Sequence, residues 1–388
     1  MGLKLVKRKV LLKIRRIPSR ILLVMTVMAL VSCTTAIKHY KPIDGPMDER
    51  ISIDIAEALN TRDDLDFGIY FFAADGSSQR MVPGKPIQNF DPKKPTVIYL
   101  HGWERDTTVR DFRESYLVED IKGFKGQLTH TSWLSKGWNA AVFYWNQFAD
   151  EPEVKHAEAK IWTYLSPHKL RYRVKSGAFV ASEARFTIAE LFTVYYEYLF
   201  SKRPEGAGEI RLVGHSLGHQ LALKSAELIA QRSQLKFPDR IALLDPFWSK
   251  GKKAYLDQQR PKINQATAAI AEDIVSKHDL ALELYRSSFL GAWFFLGDPN
   301  IPLMTTAASL RWYPEFTSAF DFKTQHVGVI PYYFTSYGQK ENDGISAATP
   351  TAKIKKLMNR PEIYLQKRGL DTTSAADDKF KVIPLSEF

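Results

Sequence analysis

Glu209-Ile-Arg-Leu-Val213-Gly214-His215-Ser216-Leu217-Gly218 is the stretch that decides the fold. Its first five residues read as a β-strand. From Leu217 to Gln231 the spacing of Leu221, Leu228 and several alanines reads as a helix. Between the two, one glycine stands two residues before Ser216 and another two residues after it. A chain that turns sharply from strand into helix holds the serine at strained dihedrals, and a bulky side chain at either flanking position would collide with the strand or the helix. The helix N-terminus beneath the serine favours developing negative charge. Ser216 therefore reads as a nucleophile presented at the carboxyl end of a strand.

Elements of the same two kinds alternate on either side. Phe67–Phe72, Thr96-Val-Ile-Tyr-Leu100, Ala140–Trp145, Arg240-Ile-Ala-Leu-Leu244 and Leu280–Leu284 are short apolar runs of strand type. Glu183–Phe200 has helical spacing, with Pro204 and Gly206 as its stop. Strands alternating with helices predict an α/β fold, with a mostly parallel sheet covered by helices on both faces. Sites in such sheets lie beyond the carboxyl ends of the strands. Residues 61–388 read as one domain, with an insertion near 148–180 whose Arg171-Tyr-Arg-Val-Lys175 reads as a solvated charged face.

A serine hydroxyl needs a base, and the base needs an acid to orient it. In this architecture they follow the serine in the order acid, then histidine. His278 ends a helical pattern and reads as its cap. His326, in Gln325-His326-Val-Gly328-Val-Ile-Pro331, reads as a loop residue before an apolar segment and is the favoured base. Two acids are candidates, Asp245 at the end of the strand after the nucleophile strand and Asp298 after Ala292–Gly297. Acyl transfer also needs two N–H donors aimed at the developing oxyanion. The backbone N–H of Leu217 is one. That of Trp103, in the turn His101-Gly102-Trp103 after the strand Thr96–Leu100, is the other. His215 and His219 stand four apart, but no Glu lies between them and no third ligand is in sight, so they read as packing residues and no metal is expected. Phe289–Phe295 and Trp312-Tyr313 are candidates for lining an acyl pocket.

His101-Gly102-Trp103, Gly214-His-Ser216-Leu-Gly218, Leu244-Asp245-Pro246, and His326 followed by Tyr332-Tyr333 occur in that order. With them the chain resembles the pancreatic-lipase-like (lipase and phospholipase A1) branch of the α/β-hydrolases, over roughly residues 65–340. The resemblance implies the α/β-hydrolase fold, a serine carboxylic-ester hydrolase acting on lipid or other apolar esters, Asp245 rather than Asp298 as the acid, and no cofactor. The chain departs from that branch in having a single cysteine, so no internal disulfide forms, and in having only about 50 residues after Gly338, too few for an appended β-sandwich. Two other functions fit the same motifs: acyl transfer to an acceptor other than water, and a non-catalytic envelope lipoprotein that binds lipid or a partner on a hydrolase scaffold.

The 388 residues include 54 Lys plus Arg and 43 Asp plus Glu, for a net charge of +11. That charge points to nucleic acid or an anionic membrane until it is located. Lys4, Lys7, Arg8, Lys9, Lys13, Arg15, Arg16 and Arg20 precede the apolar run Ile21–Val31, which is too short for the roughly 20 residues of a spanning helix. A basic start and a short apolar run make a secretory signal. Leu30-Val31-Ser32-Cys33 resembles the lipobox of bacterial lipoproteins. The resemblance implies cleavage before an acylated Cys33, attachment to the membrane through it, and, since Thr34 is not Asp, an outer-membrane address. Residues 1–32 are then a signal and 33–60 a tether. Without the signal's eight cations the charge is +3, and no nucleic-acid partner is expected. Nothing in the sequence bears on oligomeric state.

Overall fold

Apolar runs too short for helices are buried on both faces only as strands of a covered sheet. The computed structural model describes residues 47–119, 126–165, 169–288, 300–318, 320–339, 344–370 and 376–387. The expected signal, Cys33, the start of the tether, Phe289–Phe295 and Asp298 lie outside them. The strands are β1 (Gly68–Phe72), β2 (Ser78–Arg80), β3 (Thr96–Leu100), β4 (Leu117–Val118), β5 (Gln127–Leu128), β6 (Asn139–Tyr144) and β7 (Tyr172–Arg173). They continue as β8 (Phe179–Val180), β9 (Ile210–His215), β10 (Arg240–Leu244), β11 (Ala281–Arg286), β12 (Ala308–Pro314), β13 (Glu362–Arg368) and β14 (Lys379–Pro384). Every residue of β3, β6, β9, β10 and β11 is buried.

Ten strands form one sheet in the order β14-β13-β12-β11-β10-β9-β3-β6-β1-β2. The run from β13 to β6 is parallel throughout, and β1, β2 and β14 close the edges antiparallel. Helices cover both faces, so the fold is α/β as expected. The chain leaves β3 for β6 on one side and returns to β9 on the other. The strand order therefore reverses between β3 and β9, and their carboxyl ends open a crevice.

Several boundaries moved for local reasons. The helix expected from Glu183 starts at Ile188, because Thr187 and Glu190 form a capping box there. His278 caps the helix Ile263–Lys277, as expected. Residues 47–59, expected within the tether, instead form the short helices Met47–Arg50 and Ile53–Leu59 and are held to the domain. Ile51 and Ala56 are buried, and Arg50 pairs with Glu190. Apolar side chains at that spacing gain more from packing than a polar tether gains from solvation.

The segment near 148–180, expected as an insertion, contains the helix Val154–Trp162 and the hairpin β7–β8. Its basic run is not simply solvated. Arg171 Nε reaches Glu151 Oε1 at 2.7 Å, and Arg173 NH1 reaches Asp106 at 2.6 Å and Asp150 at 3.0 Å. Lys175 alone of the three basic side chains is largely exposed. Trp312, expected to line an acyl pocket, packs within the core. It is buried in β12, with its ring 5.1 Å from that of Tyr332 in a stacked arrangement.

Candidate active site

Ser216 follows β9 directly, at φ +52°. Its N–H donates to Leu244 O at 3.0 Å, which ties the turn to the neighbouring strand. The helix Gly218–Ala230 starts two residues later. Space explains the glycines. A Cβ on Gly214 would lie 2.4 Å from Gly218 O, and one on Gly218 would lie 1.9 Å from Leu100 O. Alanine fits neither position without moving backbone. Ser216 is 9% exposed, at the carboxyl end of β9.

Asp245 ends β10 at φ +37°, and its N–H donates to Tyr285 O at 2.7 Å. Its carboxylate receives the N–H groups of Ser287 at 2.8 Å and Ser288 at 3.0 Å, and also the Ser288 hydroxyl. Both N–H groups fall on Oδ1, while Oδ2, which takes the Ser288 hydroxyl, also faces His326 Nδ1 at 2.6 Å. Burial pushes this carboxyl up, but the His326 hydrogen bond, the imidazole charge and Arg286 outweigh burial and hold it well below the usual carboxylate range. A carboxylate has no proton to give, so His326 Nδ1 carries the hydrogen, and in the neutral ring the lone pair is then on Nε2. That is the arrangement a general base needs.

His326 lies in the helix Phe322–Ser336, not in the loop that Gly328 and Pro331 suggested. Asp321 caps this helix by accepting the Thr324 N–H. Gly328, Val329, Ile330 and Pro331 are buried, and that packing overrides the breaking tendency of the proline.

The loop after β3 abuts the nucleophile turn. A Cβ on Gly102 would lie 2.8 Å from Ser216 Cβ and 3.3 Å from Leu217 N. Among the described residues neither the Leu217 nor the Trp103 backbone N–H meets an acceptor. The Trp103 indole is anchored on Glu151 O at 2.6 Å. His101 is fully buried, and burial lowers it to about 4, so it is neutral. Its Nε2 accepts the Trp145 N–H at 3.1 Å, and its Nδ1 donates to Gly102 O at 3.0 Å, fixing the loop from beneath. His219, likewise neutral and buried, faces Ser216 O at 2.5 Å and packs edge-on to Trp248.

The fold thus brings Ser216, Leu217, Gly102, Trp103, Asp245 and His326 to the strand ends around the β3–β9 switch point. Four contributors do not stand out as site residues in the sequence. Ser287 and Ser288 were legible as polar residues at the end of the strand beside Asp245. Glu114 was not, since it meets His215 across 101 residues at 3.3 Å. His215 reads from the sequence as a packing residue, yet its Nε2 faces the His326 carbonyl at 3.0 Å.

Sheet order, switch point and strand–turn–helix presentation of Ser216 are those of the α/β-hydrolase fold. No family model and no curated protein matches the sequence. Solved structures do. A lipase-esterase related protein from Clostridium acetobutylicum is 9% identical, over 56% of this chain and 78% of that one, at a TM-score of 0.26. Est1E from Butyrivibrio proteoclasticus, with ferulic acid bound, is 11% identical over 75% and 93%, at 0.29. Brefeldin A esterase, a bacterial homologue of human hormone sensitive lipase, is 10% identical over 81% and 80%, at 0.25. Likeness at these scores carries no functional weight. What the protein does has to be argued from its own residues.

Proposed function

We propose that this protein is a serine carboxylic-ester hydrolase of lipase or esterase type, working through an acyl-enzyme. The observation that carries the reading is the Asp245–His326 hydrogen bond of 2.6 Å at the same strand ends as a serine held at φ +52°. Ser216 Oγ attacks the ester carbonyl as its proton passes to His326 Nε2. The Leu217 and Trp103 N–H groups receive the oxyanion of the tetrahedral intermediate. Collapse breaks the bond to the alcohol oxygen, and His326 returns the proton to the leaving alcohol. Water, deprotonated by His326, then releases the acid and frees Ser216. Asp245 stays ionised throughout and stabilises the imidazolium.

An ester panel of graded acyl length, with phospholipids and alcohol acceptors included, tests the class. Ser216-dependent release of free acid is the expected result. Product appearing only on an added alcohol would make the protein an acyltransferase, and lipid binding without turnover of any ester would make it a binding protein.

The reading extends to location. We infer an envelope lipoprotein, anchored through Cys33 and facing apolar esters of the membrane it sits on. It rests on the eight cations, the eleven-residue apolar run and Leu30-Val31-Ser32-Cys33. Metabolic labelling with an alkyne fatty acid should mark the wild type and not Cys33→Ser. Equal labelling of both would remove the anchor.

A further inference from the structure

Behind the nucleophile turn lies a second carboxylate–imidazole pair that the reaction does not consume. His215 is buried, with its Nδ1 3.3 Å from Glu114 Oε1 and its Nε2 3.0 Å from the backbone oxygen of His326. A carbonyl oxygen carries no proton. The Glu114 carboxylate also takes the Tyr99 hydroxyl, which fits an acceptor and not an acid. Both ring nitrogens of His215 therefore face acceptors, and a ring that satisfies both must carry two protons. Neutral imidazole would leave one of those contacts without a hydrogen in a buried site, where an unpaired polar group is costly.

The Nε2 contact falls on the backbone of the residue whose side chain is bonded to Asp245. A helical carbonyl has a second lone pair, so His326 O can receive this donor in addition to the helical one. The His215 and His326 rings are 4.6 Å apart. His326 is thus gripped twice, at its ring by Asp245 and at its backbone by His215.

We propose that His215 is a positioning residue, kept as an imidazolium by Glu114, whose Nε2–H holds the His326 backbone so that the His326 ring stays aligned for proton transfer with Ser216. This rests on the hydrolase reading above. The charged groups around His215 agree with it. Glu114 faces its Nδ1, Asp245 adds a second nearby negative charge, and the neighbouring His101 and His219 are neutral. Burial works against charge on His215, and the Glu114 carboxylate more than offsets it, raising the imidazole above its ordinary range. Glu104, beside them, is pushed well up by burial and by Glu114.

The experiment combines kinetics on a soluble p-nitrophenyl ester with ring ¹⁵N NMR of histidine-labelled protein. In the wild type at neutral pH, both His215 nitrogens should resonate as protonated. In Glu114→Gln, where the amide donates to Nδ1, the ring should be singly protonated. His215→Leu should lower kcat by on the order of 10²-fold with KM little changed, as expected when a reacting group is misplaced but the substrate site is not. In His215→Gln the amide nitrogen reaches near the position of Nε2, so most of the lost kcat should return. A residue needed only for packing would give losses in kcat that track melting temperature, with no rescue by Gln. A neutral His215 in the wild type, or a His215→Leu protein with unchanged kcat, overturns the proposal. Should His215→Leu fail to fold, the wild-type NMR and the Gln variants still decide it. Failure of the hydrolase reading looks different. Then no ester is turned over and no serine probe labels Ser216, while the NMR result stands by itself.

Discussion

Replacing Ser216 by alanine lowers turnover of the best ester by on the order of 10³-fold or more, with substrate binding retained. The magnitude follows from what is lost and what stays. Alanine removes the atom that forms the acyl-enzyme, so reaction must fall back on direct attack by water. The two N–H groups of Leu217 and Trp103 remain, as does the Asp245–His326 pair. They sustain the residual rate that such sites keep without their nucleophile. The fold should tolerate the change, since alanine adds no atom to a turn whose tight positions are Gly214 and Gly218. A fluorophosphonate probe should label the wild type and leave Ser216→Ala unmarked. Equal labelling of the two, or equal turnover, sinks the mechanism.

Asp245→Asn should reduce kcat by about 10⁴-fold, while Asp298→Asn stays within a few-fold of wild type. The carboxylate accepts on both oxygens, from His326 on one side and from Ser287 and Ser288 on the other. An amide at that position offers only one acceptor atom. If its oxygen keeps the serine donors, its NH₂ faces His326 and turns the imidazole to the wrong tautomer. The reverse result for the two variants would make Asp298 the acid. Acid titration supplies an independent check. A carboxyl whose folded value lies below its unfolded value contributes stability in full above about pH 4, and that contribution is lost as pH falls toward the folded value. The stability difference between wild type and Asp245→Asn should therefore shrink on acidification below about pH 4. A difference that stays constant would mean that Asp245 is not held ionised.

Much of this site was readable along the chain. Thr96–Leu100 and Arg240–Leu244 are strands with the expected limits, and the helix after Ser216 runs from Gly218 to Ala230. The requirement for glycine at 214 and 218 was also legible, and the clash distances supply its cause. His326 was found as a residue but misplaced as a loop. Gly328 and Pro331 look like breakers locally, whereas burial of the helix around them decides otherwise. The basic run Arg171–Lys175 looked solvated because Glu151, Asp150 and Asp106 carry no sequence signal that they turn toward it.

The alternation of strand and helix, the nucleophile turn and the residue types that a Ser-His-Asp site requires are legible in the linear order of residues. Those features arise from forces that act within one element, namely side-chain periodicity, the φ that glycine-flanked turns impose and the initiation of a helix. Which groups meet depends on how the elements pack together. His326 finds Asp245 across 81 residues and His215 across 111, and Glu114 reaches His215 across 101. Contacts at such separations depend on the order in which strands stack, above all on β3 lying beside β9. That order is set by burial of the whole sheet. The same burial turns a histidine that looked like packing into one poised between two acceptors.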